Sequence, residues 1–216
     1  MKVAPSIIAA KFSDFQEEIA KVEAAGADLL HLDVMDGIFV PNITFGPMVI
    51  EAIDEVSAVE LDAHLMITKP ENFLRQFIDA GLDWVSFHHE ATDKTEFCIE
   101  YVHERKKKVG LAINPPTPFG DIIAFVDKLD FVLIMTVNPG FYGQKFITEV
   151  LPKIEEVRNW ITKHDLGCLI EVDGGINAEN AKLLCQAGAD IVVAGAGIFK
   201  TVDYRKAIEE LRCSKG

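Results

Sequence analysis

Two short segments of this chain place side chains that can bind metal or transfer protons at the ends of apolar runs. Residues 31–37 read HLDVMDG, and residues 172–176 read VDGGI. Residues two apart in an extended strand face the same side, so His31 and Asp33 point in the same direction. A polar group at the end of a buried strand is costly unless a partner uses it. We therefore expect a metal or acid/base site beside glycine turns that can hold an anion.

The elements that must position these groups follow a regular alternation. Amphipathic segments separate eight Val- and Ile-rich runs, which are the predicted strands: Val3–Ile8, Asp28–Asp33, Val59–Met66, Trp84–His88, Val109–Ile113, Phe131–Thr136, Cys168–Asp173 and Ile191–Ala194. Strands that alternate with helices indicate a parallel sheet. The 216 residues leave about 27 for each of eight repeats. The sequence therefore predicts an α/β fold, a (β/α)8 TIM barrel, as a single domain over residues 1–216.

Helix boundaries in the sequence support the same alternation. Gly26, Gly81 and Gly188 each occur in an Ala-Gly-(Ala/Leu)-Asp segment directly before a predicted strand. Glycine is favoured at the left-handed stop after a helix, so these positions are predicted helix ends. Asp14 before the first helix and Asn177 before a later one are predicted to cap helix starts.

Composition limits the classes of partner. The net charge is −13, from 21 basic and 34 acidic residues, which disfavours nucleic acid and anionic membranes as partners. No apolar run approaches the roughly 20 residues of a membrane-spanning helix. The four cysteines stand alone at positions 98, 168, 185 and 213, which predicts reduced thiols and a cytoplasmic location.

Polar side chains from three predicted strands converge if the barrel forms. Catalytic residues of such barrels lie at the C-terminal ends of the strands. The second strand supplies His31 and Asp33 there, the third supplies His64 and the seventh ends in Asp173. Two imidazoles and two carboxylates suit one divalent ion such as Zn²⁺, Fe²⁺, Mn²⁺ or Co²⁺, with positions left open for a substrate.

Other polar residues near these strands have two interpretations each. Asp62 shares the face of His64 but lies deeper, either as a hydrogen-bond partner of a ligand or as a solvated residue of the lower rim. Only one of His88 and His89 can face inward, and we expect a structural or ligand-supporting role for either. Asp36 either orders its loop or takes part in function.

Three glycine-containing loops follow the sixth, seventh and eighth predicted strands. Their candidate binding residues are Gly140, Tyr142, Gly143, Gly174, Gly175, Gly195 and Ala196. Backbone amides at helix N-termini bind phosphate, and loops after the last strands of this barrel commonly do so. Such amides would hold an anion without a charged side chain, which suits an acidic chain.

The chain resembles the ribulose-phosphate 3-epimerase family over essentially its full length. The matching stretches are APSIIAA (4–10), HLDVMDGIFVPNITFGP (31–47), DAHLM (62–66), GLAINPPTP (110–118), MTVNPGF (135–141), GQKF (143–146), VDGGI (172–176) and VAGAGIF (193–199). The resemblance implies a cytoplasmic enzyme of the pentose phosphate pathway. Its reaction is the interconversion of D-ribulose 5-phosphate and D-xylulose 5-phosphate at C3 through an enediolate.

The resemblance also implies roles for particular residues. It maps the metal ligands onto His31, Asp33, His64 and Asp173, and the acid/base pair onto Asp33 and Asp173. The expected substrate-binding residues then include His64 and Asp173, together with four that the resemblance adds: Ser6, Met35, Met66 and Met135. Its expected partners are a small-molecule sugar phosphate and further copies of the chain in a homo-oligomer.

Three departures from the family pattern lie away from the predicted ligands. Tyr142 stands in a loop that usually reads Gly-Phe-Gly-Gly, Ala196 replaces a usual serine, and Ile38 occupies a position where histidine is frequent. Tyr142 either places its hydroxyl near the phosphate or covers the loop against solvent. These changes bear on affinity and substrate range more than on reaction type.

Three other functions stay open at this point. One is epimerisation of another ketose phosphate such as D-allulose 6-phosphate. Another is a metal-free decarboxylase or synthase, which would need a lysine at a strand end, whereas Lys69 and Lys145 lie past the predicted ends. The last is an inactive scaffold, which four convergent ligands argue against.

Overall fold

The computed structural model describes residues 1–212, and its centre is an eight-stranded parallel sheet. The strands are β1 (Lys2–Pro5), β2 (Leu29–Met35), β3 (Glu60–Met66), β4 (Trp84–His88), β5 (Lys108–Ile113), β6 (Phe131–Met135), β7 (Leu169–Asp173) and β8 (Ile191–Ala194). Their order is β1-β8-β7-β6-β5-β4-β3-β2. A parallel bridge from Ser6 to His31 and a hydrogen bond from Asp28 N–H to the Val3 carbonyl (3.0 Å) bring β1 beside β2. The predicted TIM barrel is confirmed.

Helices cover the outside of this barrel. Within residues 1–212 they are α1 (Phe15–Ala24), α2 (Pro47–Asp54), α3 (Leu74–Asp79), α4 (Thr95–Glu104), α5 (Leu151–Lys163), α6 (Ala178–Ala187), α7 (Ala196–Phe199) and α8 (Tyr204–Leu211). The connection between β5 and β6 departs from the repeat, because it consists of 3₁₀ turns at Phe119–Asp121 and Ile123–Lys128.

Alternation along β2 separates two environments. Leu30, Leu32 and Val34 pack in the large apolar core that also contains helix residues such as Ile19 and Ile50. Their neighbours His31 and Asp33 lie on the opposite face of the strand, towards the barrel interior, as the sequence predicts. The interior also contains a separate apolar cluster that includes Leu29, Trp84 and Phe131. The polar side chains therefore lie within an otherwise apolar barrel.

Two strand ends differ from their predicted positions by more than one residue. β1 ends at Pro5, and a 3₁₀ turn occupies Ile7–Ala9, because the chain turns there and buries Ile7 in the core. β2 continues to Met35, since Val34 and Met35 pair with Leu65 and Met66 of β3.

The helix ends are mostly as predicted. Gly26, Gly81 and Gly188 have φ of 100°, 111° and 109°, the left-handed conformation expected of a helix stop. Asn177 accepts hydrogen bonds from the Glu179 and Asn180 amides in a capping box. The predicted cap at Asp14 is wrong, because its carboxylate pairs with the Lys11 ammonium and makes no cap hydrogen bond.

The cysteine expectation is correct only in part. Cys98 and Cys168 are free, buried thiols. Cys185 is disulfide-bonded, so the expectation of a reduced thiol is wrong at this position. Cys213 lies outside the described residues. No helix within residues 1–212 has the length and apolar character needed to cross a membrane.

Candidate active site

All four predicted metal ligands meet at the C-terminal end of the barrel. His31, Asp33, His64 and Asp173 each offer one ligand atom, and these atoms all lie within 4.8 Å of one another. Asp33 Oδ1 is 3.7 Å from both His31 Nε2 and His64 Nδ1, and His64 Nδ1 is 3.8 Å from Asp173 Oδ2. The side chains come from β2, β3 and β7, so the fold joins residues that are far apart in the chain.

Two nitrogen atoms of this cluster lack a partner. His31 Nε2 and His64 Nδ1 are buried and make no hydrogen bond. Buried polar atoms without partners are rare, and each needs an explanation. Ligand atoms held about 2.0–2.2 Å from one cation lie roughly 3–4 Å apart, which matches the spacing here. The four residues therefore fit a divalent metal ion.

The two carboxylates differ in their electrostatic surroundings. Burial by itself would raise the pKa of Asp33, but the His31 and His64 imidazoles outweigh it and hold that pKa below its usual range. Burial raises the pKa of Asp173, and the charge of Asp33 adds to this in spite of the adjacent His64 imidazole. A pair of carboxylates with separated pKa values suits one proton acceptor and one proton donor.

Two further carboxyl groups lie beneath His31, and one of them, Asp62, is hydrogen-bonded to it. Its Nδ1 is 2.5 Å from Asp62 Oδ2 and 3.5 Å from Glu171 Oε1. Asp62 is fully buried, so it is a partner of His31 and not a solvated residue of the lower rim. Burial and the charge of Asp62 raise the pKa of Glu171 well above its usual value. The sequence interpretation missed Glu171, although its position two residues before Asp173 places it on the same face of β7.

His64 is supported by different groups. Its Nε2 is 2.8 Å from Nε2 of His88, whose Nδ1 is 3.2 Å from Glu90 Oε2. His88 is thus the inward histidine of the 88–89 pair, while the ring of His89 lies 6.3 Å from that of Phe125. The sequence interpretation also missed Glu90, because it follows β4 in a 3₁₀ turn whose direction the strand pattern does not give.

A cavity of about 320 Å³ opens above the cluster. Asp33 and Asp173 line it, while His31 and His64 lie beneath them. The Ser6 hydroxyl donates a hydrogen bond to Asp33 Oδ2 (2.5 Å). The other predicted substrate-binding residues that line the cavity are Met35, Met66, Met135, Gly140, Tyr142, Gly143, Gly174, Gly175, Gly195 and Ala196. Of the predicted substrate-binding set, His64 is the residue that does not line this cavity.

Backbone, more than side chain, forms the upper wall of this cavity. Gly174 and Gly175 have φ of 127° and 65°, and a Cβ on Gly175 would lie 2.6 Å from the Phe146 nitrogen. The first hydrogen bond within the α7 turn runs from Ile198 N–H to the Gly195 carbonyl, so the amides of Ala196 and Gly197 precede it. Amides at such a position can donate to an anion.

Two of the three departures from the family pattern, Tyr142 and Ala196, line the cavity. Tyr142 is 53% exposed, and the Lys200 ammonium lies 5.4 Å from the centre of its ring. Ile38 is exposed and does not line the cavity. Asp36 accepts hydrogen bonds from the amides of Ile38, Phe39 and Thr68, so it orders the loop. Lys69 and Lys145 are exposed and also lie outside the cavity lining.

Comparison with known proteins gives one consistent family. The model of the ribulose-phosphate 3 epimerase family matches residues 2–199. The ribulose-phosphate 3-epimerase of Bacillus subtilis is 50% identical, and the alignment covers all of both chains. The Escherichia coli K12 protein of the same name is 42% identical over 97% of this chain and 94% of its own.

Solved structures with distant sequences share the architecture. The 3-hexulose-6-phosphate synthase of Salmonella typhimurium aligns with a TM-score of 0.74 at 21% identity, covering 98% of this chain and 96% of the other. The orotidine 5'-phosphate decarboxylase of Pyrococcus horikoshii gives 0.67 at 16% identity, with 97% and 96% covered. At such identities the likeness shows the barrel fold alone.

Proposed function

This chain is an epimerase that belongs to the ribulose-phosphate 3-epimerase family, and we propose that it interconverts D-ribulose 5-phosphate and D-xylulose 5-phosphate at C3. The observation that carries this proposal is one cavity in contact with Asp33, Asp173 and the glycine loops. A sugar phosphate needs both halves, since its phosphate must be anchored while its C3 carbon reacts. The cytoplasmic location and the homo-oligomer inferred from the sequence remain predictions.

Asp33 and Asp173 are the proposed acid/base pair. Inversion at C3 requires that a proton beside the ketone leaves one face and that another returns to the opposite face. β2 and β7 flank the adjacent strands β1 and β8, so the two carboxylates approach the cavity from different sides. One carboxylate accepts the C3 proton while the other donates a proton from the far side, which requires both to lie close to C3 of the bound substrate. The Ser6 hydroxyl orients Asp33 for this transfer.

His31, Asp33, His64 and Asp173 are the proposed holders of one divalent ion: Zn²⁺, Fe²⁺, Mn²⁺ or Co²⁺. Bound there, the ion supplies Lewis-acid stabilisation of the negative charge that develops on the substrate oxygens of the enediolate. The unpartnered nitrogens of His31 and His64 support this assignment, because each is buried and faces the carboxylates.

The remaining cavity residues are proposed to bind and orient the sugar phosphate. Gly143, Gly174, Gly175, Gly195 and Ala196 offer amides to the phosphate, with Gly140 and Tyr142 in the same wall. Met35, Met66 and Met135 are buried against the reacting end, where their side chains exclude water. A phosphate held at one end fixes the distance of C3 from both carboxylates.

A second candidate is epimerisation of a longer ketose phosphate such as D-allulose 6-phosphate. The observation in its favour is that Tyr142 and Ala196, which depart from the family pattern, both line the phosphate end of the cavity. Comparing kcat/KM for a pentulose phosphate and a hexulose phosphate separates the two. We expect the pentulose to be preferred, and a higher value for the hexulose would reassign the substrate.

Metal content and activity together test the proposed site. We expect the purified protein to contain about one divalent ion per chain and His31→Ala and His64→Ala to lose metal and activity in parallel. The reason is that each variant removes one of four ligands. Elemental analysis and an epimerase assay provide the two measurements. His103→Ala, an exposed histidine on α4, is the matched control and should change neither.

Two outcomes would contradict the metal proposal. One is wild-type protein that keeps full activity after exhaustive chelation with no metal detected. The other is loss of activity in His31→Ala with metal content unchanged, which would give that residue a different role.

A further inference from the structure

A series of side chains within hydrogen-bond distance of one another leads from His64 away from the cavity. Nε2 of His64 lies 2.8 Å from Nε2 of His88, and Nδ1 of His88 lies 3.2 Å from Glu90 Oε2. The other carboxylate oxygen, Oε1, accepts hydrogen bonds from the Asn114 amide (2.9 Å) and the Thr117 hydroxyl. This series of hydrogen bonds therefore ends at the backbone N–H of Asn114, a group that can only donate.

The direction of each hydrogen bond in this series follows from the types of group. A carboxylate only accepts, and a neutral imidazole has one N–H donor and one acceptor nitrogen. Because Nδ1 of His88 faces Glu90, that nitrogen carries the proton and Nε2 of His88 is the acceptor. The hydrogen bond between the two rings is then donated by Nε2 of His64.

The surroundings of both groups agree with these protonation states. His88 is fully buried, and burial disfavours a charged imidazole, which agrees with a single ring proton on His88. Burial would raise the pKa of Glu90, but hydrogen bonds from His88, Thr117 and Asn114 outweigh it and lower the pKa to about 2. The ring of Phe39 lies 4.7 Å from that of His88 and covers it.

The consequence appears at the other nitrogen of His64. With the proton on Nε2, a neutral His64 carries its lone pair on Nδ1, the atom that lies 3.7 Å from Asp33 and 3.8 Å from Asp173. We propose that Glu90, acting through His88, is a positioning residue that holds His64 in the tautomer whose Nδ1 lone pair faces Asp33 and Asp173. This inference rests on the proposed metal site and adds to it two residues that lie outside the set of four ligands.

Glu90→Gln offers a sharp test because it should reverse the direction of the hydrogen bonds that connect residue 90, His88 and His64. The Asn114 amide still needs an acceptor, so the Gln oxygen takes the Oε1 position and its NH₂ group faces His88. Nδ1 of His88 must then accept and its Nε2 must donate, which moves the proton of His64 onto Nδ1. We expect Zn²⁺ affinity, measured on metal-free protein by competition with a chelator, to fall by roughly 10–100-fold.

Two further variants separate positioning from general damage. Glu90→Asp keeps a carboxylate that accepts from His88, so it should retain most of the Zn²⁺ affinity. Glu96→Gln on α4 removes a surface carboxylate that pairs with Lys128, and it should leave the affinity unchanged.

A spectroscopic measurement on the wild type needs no variant. In Zn²⁺-loaded protein labelled with ¹⁵N-histidine, we expect ring protons on Nδ1 of His88 and Nε2 of His64. A proton on Nε2 of His88 would overturn the inference. Equal Zn²⁺ affinity in wild type and Glu90→Gln would overturn it as well, while leaving the proposed function intact. Wild-type protein that binds no Zn²⁺ and no other divalent ion would overturn the metal site and this role with it.

Discussion

The floor and the rim of the cavity are built by different means. The floor consists of buried side chains on regular strands, with His31 and His64 fully enclosed and Asp33 nearly so. The rim consists of loop backbone after β6, β7 and β8. The glycines after β6 and β7 take positive φ, and Tyr142 is half exposed. In the proposed function, side chains at the floor are the acid/base groups and metal ligands, whereas backbone amides at the rim bind the phosphate.

This difference explains where the chain tolerates change. A side chain at the floor has a specific partner on a neighbouring strand, so its replacement leaves another buried polar group unpaired. A rim amide belongs to the backbone and persists when the side chain changes, as at Ala196. We therefore expect large effects from substitutions at the floor and small ones from substitutions at the rim.

The largest effect is expected from the floor carboxylates. Asp33→Asn and Asp173→Asn each remove a proton carrier and an anionic ligand, so kcat should fall at least about 10²–10⁴-fold. Steady-state epimerisation assays measure the loss. Exchange of the C3 proton for deuterium in D₂O should survive in part, because the remaining carboxylate can still transfer protons on one face of the substrate. The surface variant Asp79→Asn, which breaks an exposed pair with Arg75, is the control. Near-normal turnover in both floor variants with metal bound would refute the acid/base assignment.

A smaller effect is expected from Ala196→Ser at the rim. The added hydroxyl can donate one neutral hydrogen bond to the phosphate, which contributes about 0.5–1.5 kcal/mol, a several-fold gain in affinity. KM should fall by that factor with kcat little changed, as expected for binding that is equal in ground and transition states. Ala178→Ser, at the exposed start of α6, should change neither constant. A large change in kcat with KM constant would mean that the phosphate lies elsewhere.

The smallest effect is expected from Tyr142→Phe. The ring lines the cavity and lies near the Lys200 ammonium, and both features remain when only the hydroxyl is removed. We expect KM to change by less than about two-fold, which is less than the change expected from the loss of one typical hydrogen bond. Steady-state kinetics with the phosphorylated sugar measure it. A clear rise in KM would instead show that the hydroxyl contacts the substrate and would narrow the contrast between floor and rim.

The alternation of hydrophobic residues in the sequence was enough to predict most of the architecture. The eight strands, the glycine helix stops and the inward direction of His31, Asp33 and His64 all follow from local periodicity and turn chemistry. The main errors lie where the chain leaves regular structure. At the end of β1 the backbone turns to bury Ile7, and at Asp14 a neighbouring lysine competes for the carboxylate.

The sequence by itself determined which side chains face the barrel interior, because a strand has a side-chain period of two residues. Only the tertiary structure decided which of them touch. Asp62 meets His31 because those residues pair across β2 and β3, and Glu171 lies near the same imidazole from β7, a strand that does not pair with β2. Glu90 reaches His88 from a turn whose path depends on packing against the residues after β5. Periodicity fixes direction along one strand, whereas strand register and loop path, which depend on the whole fold, fix contact.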